Sequence, residues 1–218
     1  MESAIVPIHF GGLLGYGVNC YLIRMETGFV LIDTGISPKR AELVGELDRA
    51  GCRPGNLRLI VLTHGHGDHV GNCAFLREQY GAKIAMHRGD STIVEGGGVE
   101  TGFIGRMILR LITFIAGIGK TDSFSADIYL EEGQGLSEYG LDAKVLHLPG
   151  HSDGSIGILM QSGDFFCGDI FVNKFKPSRH SIVTDAEAFD ASVTRLKTLD
   201  AGTVYPGHGK PFQASDLD

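Results

Sequence analysis

Runs and alternations of apolar residues divide the chain into short strands and a few amphipathic helices. Ala4–Phe10, Val18–Met25 and residues 29–33 are rich in β-branched and aromatic side chains and are separated by glycine-bearing turns, which predicts three strands. Ser37-Pro38 is a helix start, Leu43, Val44 and Leu47 recur at helical spacing, and Gly51 stops the helix. Residues 57–62 are continuously apolar, the pattern of a strand covered on both faces. A helix over 72–80 ends at Gly81, and Lys83–His87 is the next strand. Further along, 141–148, Ile156–Met160 and 164–168 read as strands, 185–199 as a helix and 203–205 as a short strand. Strands followed by helix, twice over, predict a two-layered β core with helices outside.

Residues 103–115 break that rhythm. As a helix they would be apolar nearly all round, with only Arg106, Arg110 and Thr113 polar, so the segment must be covered by something. At about 20 Å it is too short to cross a bilayer. The glycines at 96–98 set it off as an apolar helical insertion at about 90–127 in an otherwise single domain spanning 1–218. Four homes are open to it: a lid over a site, a contact between two copies of the chain in a homodimer, a membrane-surface or hydrophobic acyl-chain groove, or plain core.

Composition narrows the class. With 43% hydrophobic and 21% charged residues the 218-residue chain is an ordinary globule. Its net charge of −7 argues against nucleic acid as a partner, because such binding depends on Lys and Arg neutralising phosphates. No apolar run reaches the roughly 18 residues of a membrane span. The start, MESAIVPIHFGG, has neither a basic region nor a long apolar region, so a cytoplasmic location is expected. Cys20, Cys52, Cys73 and Cys167 lack CxxC spacing and are expected to be reduced, partly buried thiols.

The chemistry concentrates in Thr63-His64-Gly65-His66-Gly67-Asp68-His69, at the end of a predicted strand. Imidazole and carboxylate are ligands that divalent zinc, iron or manganese accept. Alternate residues of an extended segment point the same way, so His64 and His66 can grip one metal, while Asp68 and His69 turn toward a second position. Other candidate donors each follow a predicted strand: His151 in Pro149-Gly150-His151, Asp169 after Gly168, and His208 in Pro206-Gly207-His208. Strand ends along one sheet edge bring such donors together. Asp33, in Ile32-Asp33-Thr34-Gly35, is either a turn-capping residue or a partner that orients a histidine through its second ring nitrogen.

THGHGDH, PGHSDG, CGDIF and PGHG, in that order, resemble the metallo-β-lactamase superfamily over almost the whole chain. The resemblance implies an α/β fold, an αββα sandwich of two mixed sheets flanked by helices, with a binuclear site at one edge. It implies that His64, His66 and His151 hold one divalent ion, that Asp68, His69 and His208 hold the other, and that Asp169 bridges them. Zinc is the foremost candidate, with iron or manganese as alternatives. A hydroxide between the ions would cleave an ester, thioester or lactone in a small-molecule substrate, because paired cations lower the pKa of water from near 16 toward about 7. Asp68 or Asp169 would take the proton. The segment after Asp169 borders the cleft in this superfamily. There Asn173, Lys174, Lys176 and Arg179 would hold an anionic group and His180 would protonate the leaving group. Tyr21 and the loop 11–17 would wall the pocket, whereas His9, His87 and His147 would be structural. Asp169 stands where true class B β-lactamases have cysteine, which points to the thioesterase and lactonase branches. Only ten residues follow His208, so the glutathione-binding helical domain of glyoxalase II is not expected, nor its hydroxyacylglutathione substrate. The alternatives are a mononuclear iron oxidoreductase like the persulfide dioxygenases, and a phosphodiesterase or nuclease of the same superfamily.

Overall fold

In the computed structural model, which describes residues 4–11, 17–96 and 121–217, the apolar runs form two six-stranded sheets packed face to face. The first sheet contains β1 (Ala4–Phe10), β2 (Val18–Met25), β3 (Gly28–Ile32), β4 (Leu57–Val61), β5 (Lys83–His87) and β6 (Ile128–Leu130), side by side in that order. Its first three strands are antiparallel, and from β3 onward every pair is parallel. The second sheet contains β7 (Ala143–His147), β8 (Ile156–Met160), β9 (Phe165–Asn173), β10 (Pro177–Arg179), β11 (Thr203–Gly209) and β12 (Phe212–Gln213). Its spatial order is β12-β11-β9-β8-β7, with β10 on β9 and a parallel β9/β11 pair.

Side-chain alternation makes the layers. On β3, Val30 and Ile32 face the second sheet, where they meet Ile156, Ile158 and Phe166, while Phe29 and Leu31 face outward. That outer face is covered by α1 (Arg40–Arg49) through Leu43 and Leu47, and by α3 (Cys73–Tyr80) through Leu76. On the far side, α5 (Ala186–Leu196) lays Phe189, Val193 and Leu196 on Leu146, Phe165 and Cys167. Asp185 caps α5 by accepting from the backbone N–H groups of Glu187 and Ala188, both at 3.0 Å. Helices therefore flank both sheets, as the αββα expectation requires, and all four cysteines are buried free thiols.

The departures are local. β9 runs on to Asn173 and β11 to Gly209, well past their expected ends. α2 (Gly67–Val70) and α4 (Ser91–Glu95) are short helices of their own. Tyr21 is buried against the neighbouring sheet, its hydroxyl donating to the Pro206 carbonyl at 2.6 Å, so it does not wall a pocket. The segment 103–115 and most of the loop 11–17 lie outside the described residues. Among the described residues no helix is long and apolar enough to cross a membrane.

Candidate metal centre

β4 empties through Thr63 directly into the segment His64–His69, and a carboxylate from the next strand over fixes that exit. Asp33 follows β3 with a left-handed φ of 56°, a conformation that Asp tolerates better than most residues. From there its Oδ1 accepts the Thr63 N–H at 2.8 Å, and its Oδ2 accepts both the Thr63 hydroxyl and His69 Nδ1–H, each at 2.8 Å. Asp33 therefore takes the histidine-orienting role that the sequence left open.

The same device recurs around the site. His64 Nδ1 lies 3.0 Å from Thr63 Oγ1, whose own proton goes to Asp33, so the hydroxyl accepts the ring N–H. His151 Nδ1 donates to the Ile182 carbonyl at 2.8 Å, and His208 Nδ1 donates to the Gly17 carbonyl at 2.6 Å. An oxygen partner on Nδ1 orients each ring, so His64, His69, His151 and His208 turn Nε2 inward.

These nitrogens and three carboxyl or imidazole neighbours form overlapping groups. His64, His66 and His151 make one; Asp68, His69 and His208 make another; in each the candidate ligand atoms lie within 4.8 Å of one another. Asp169 stands between them. Its Oδ1 is 3.5 Å from His69 Nε2, and its Oδ2 is 3.2 Å from His208 Nε2 and 3.6 Å from His151 Nε2. Asn19 and Tyr21 on β2 fasten β11 beneath this point, Asn19 Nδ2 donating to the Pro206 and Gly209 carbonyls at 2.9 and 2.7 Å. Gly207 must lack a side chain, because a Cβ there would run into Asp169 Oδ1 and the His69 ring.

The seven residues expected from the sequence as ligands therefore converge, and His180 joins them. His180 Nε2 is 3.4 Å from Asp169 Oδ2, in a further group with His151 and Asp169. The Ile182 N–H donates to His180 Nδ1 at 3.0 Å, which leaves the ring proton on Nε2, directed at the site. The two backbone groups of one residue, Ile182, thus set His151 and His180 in opposite tautomers. Sequence inspection missed the Ile182 backbone and the Gly17 carbonyl, because backbone groups carry no residue identity. Thr63 was legible only as the residue preceding the histidine run. Asn173 Nδ2 donates to the Lys210 carbonyl, Arg179 pairs with Asp190, and Lys174 and Lys176 are exposed.

Charge in the site is short of positive partners. Burial drives the His64 and His151 imidazoles toward neutrality, His151 down to about 4. Burial also opposes ionisation of Asp68 and Asp169, yet the His69 and His208 imidazoles outweigh it and hold both carboxyls below the usual range. Conversely, burial disfavours a charge on His69, but Asp169, Asp33 and Asp68 lift it to about 9. Asp169 and Asp68 likewise lift His208 well above an ordinary histidine. Among the described residues, two buried side-chain atoms have no hydrogen-bond partner, His69 Nε2 and Asp169 Oδ1. His69 Nδ1 bonds to Asp33, and its Nε2 faces Asp169 Oδ1 across 3.5 Å without a hydrogen bond. Such an arrangement needs positive charge between the two atoms, either a second proton on His69 or a metal ion. A divalent metal ion fits the donor set of imidazoles and carboxylates.

The chain belongs to the metallo-beta-lactamase superfamily, whose family model matches residues 13–208. It is 30% identical over 216 residues to the hydroxyacylglutathione hydrolase GloC of Haemophilus influenzae, covering 96% of this chain and 91% of that one. A hydroxyacylglutathione hydrolase of Francisella philomiragia subsp. philomiragia is 24% identical over 91% of this chain, which spans only 64% of its length. A crystal structure of TTHA1623 in a di-iron-bound form shares 29% identity at a TM-score of 0.74, over 96% of this chain and 95% of that one. The GloC relative is of nearly this length and bears the name of a hydroxyacylglutathione hydrolase, so the short stretch after His208 carries no argument against that substrate class.

Proposed function

We propose that this protein is a metal-dependent hydrolase of thioesters, with esters and lactones as related substrates. The observation that carries the metal half of this reading is the cluster of imidazoles and carboxylates in which the buried His69 Nε2 and Asp169 Oδ1 face each other without a hydrogen bond. The likeness to the GloC relative supports the thioester half and brings acyl-glutathione conjugates to the front of the substrate classes.

In this reading His64, His66 and His151 would hold one ion, and Asp68, His69 and His208 would hold the other, with Asp169 serving both groups. Divalent ions bound there would supply Lewis acidity that polarises a carbonyl oxygen and acidifies water near neutral pH. The protein's own groups do the rest. Asp68, half-buried and kept anionic by His69 and His208, accepts the proton of the attacking water. Asp169 is fixed among the His69, His151, His180 and His208 nitrogens and stays ionised, so it keeps the two groups of donors in register. His180 presents its Nε2–H from the rim and gives that proton to the leaving sulfur or oxygen.

The test is metal quantification on protein purified without added metal, combined with a panel of thioesters, lactones, phosphodiesters and persulfides. Two divalent ions per chain and thioester cleavage that a chelator abolishes are expected. One iron per chain with oxygen uptake on a persulfide would replace this reading with an oxidoreductase.

A further inference from the structure

A buried carboxylate outside the ligand set joins the two chain segments that carry the first group of histidines. Asp90 sits between β5 and α4 and is fully buried. Its Oδ2 accepts the Gly65 N–H and the Ser152 hydroxyl, each at 2.7 Å, and its Oδ1 accepts the Gly154 N–H at 2.6 Å. Gly65 separates His64 from His66, and Ser152 directly follows His151. One carboxylate therefore clasps the loop leaving β4 in the first sheet and the loop leaving β7 in the second. The fit is tight, since a Cβ on Gly154 would come within 2.7 Å of Asp90 Oδ1 and one on Gly65 within 3.1 Å of Asp90 Cβ. Ser155 Oγ completes the clasp by accepting the Ser152 N–H at 3.0 Å and meeting the Ser152 hydroxyl at 2.8 Å. None of these bonds touches Asp68, His69 or His208, which Asp33 braces instead through His69.

A buried anion is retained only where its charge is well matched by donors, and three charge-assisted hydrogen bonds do that here. Asparagine cannot reproduce them, because its NH2 would face an N–H or hydroxyl donor. We infer that Asp90 is a positioning residue: it sets the spacing between His64/His66 and His151, and so governs the cation affinity of that group alone. The inference rests on the reading that the two groups hold cations.

Cobalt(II) titration of the metal-free protein against a competing chelator tests it, with the visible spectrum reporting each ion. Wild type should bind two ions. Asp90→Asn should weaken one of them by about ten- to a hundredfold, the usual effect of losing a partner behind a metal ligand, and leave the other within about twofold. His66→Ala should retain one ion, and adding Asp90→Asn to it should not weaken that ion further. Equal weakening of both ions, or of neither, overturns the positioning role. If Asp90→Asn fails to fold, Ser152→Ala deletes one donor and should weaken the same single ion severalfold; no change there also overturns the inference. A wild type that binds no cobalt would instead sink the metal reading, and this inference with it.

Discussion

Replacing His180 by alanine removes an N–H aimed at Asp169 Oδ2 while leaving the Nδ1 partners of His64, His69, His151 and His208 intact. Turnover is expected to fall by about 10²- to 10³-fold with metal content unchanged, measured by steady-state kinetics beside elemental analysis. A variant with wild-type turnover would reduce His180 to a rim residue. The buried titrating groups also predict a pH profile for the metal-free protein. His69 is raised to about 9, so its contribution to stability is complete below the unfolded value near 6.5 and is lost as pH rises through 9. His151 is lowered to about 4, so it draws stability away as pH falls from near 6.5 toward 4, where the unfolded chain binds the extra proton. Thermal melts of chelator-treated protein should therefore peak near pH 6.5 and fall on both sides. A melting temperature that climbs steadily from pH 6 to 9 would contradict the charge arrangement described for His69.

Single strands carry the next set of consequences. Gly207→Ala on β11 puts a methyl group against Asp169 and His69, so metal content and melting temperature should drop together, as elemental analysis and calorimetry would show. Phe166→Ala on β9 empties the layer between the sheets next to Tyr21 and Tyr205, and about 3–5 kcal/mol of stability should be lost in urea unfolding. β1, β2 and β5 fall on their expected residues, because each is an apolar run of five or more residues bounded by turn residues. β6, β10 and β12 were not legible from sequence, since two or three residues cannot display a period. β9 and β11 outrun their expected ends for a different reason. Asp169 and His208 interrupt the apolar pattern, while the backbone pairing continues past them through shifts of register between Tyr205 and His208. The polar residues that ended the predicted strands are the ones the site uses. Asp90 stayed hidden because an Asp after a strand reads as a turn residue. Its donors are mostly backbone N–H groups, so only the paired glycines at 65 and 154 hinted at the close approach.

At the scale of the molecule, the donors come from both sheets, so holding a cation and keeping the sheets docked are one event. Saturating divalent metal should raise the unfolding free energy of the chelator-treated protein by about 4 kcal/mol at a thousandfold excess over the dissociation constant. Calorimetry with and without metal checks this, and identical melts would contradict it. Side-chain and backbone ties already hold the sheets at that edge without metal. Among them are Tyr21 and Asn19 to Pro206, Ile156 N–H to the Thr63 carbonyl at 2.8 Å, and the Asp90 clasp. The metal-free protein is therefore expected to keep native far-ultraviolet circular dichroism.

The donors also follow a timetable. His64 to His69 leave the ribosome long before His208, and until Pro206–Gly209 are laid beside β9 the nascent chain offers only a loose, half-built chelator. Durable capture of an ion has to wait for the last strands to dock, which leaves early intermediates free to release whatever metal they meet first.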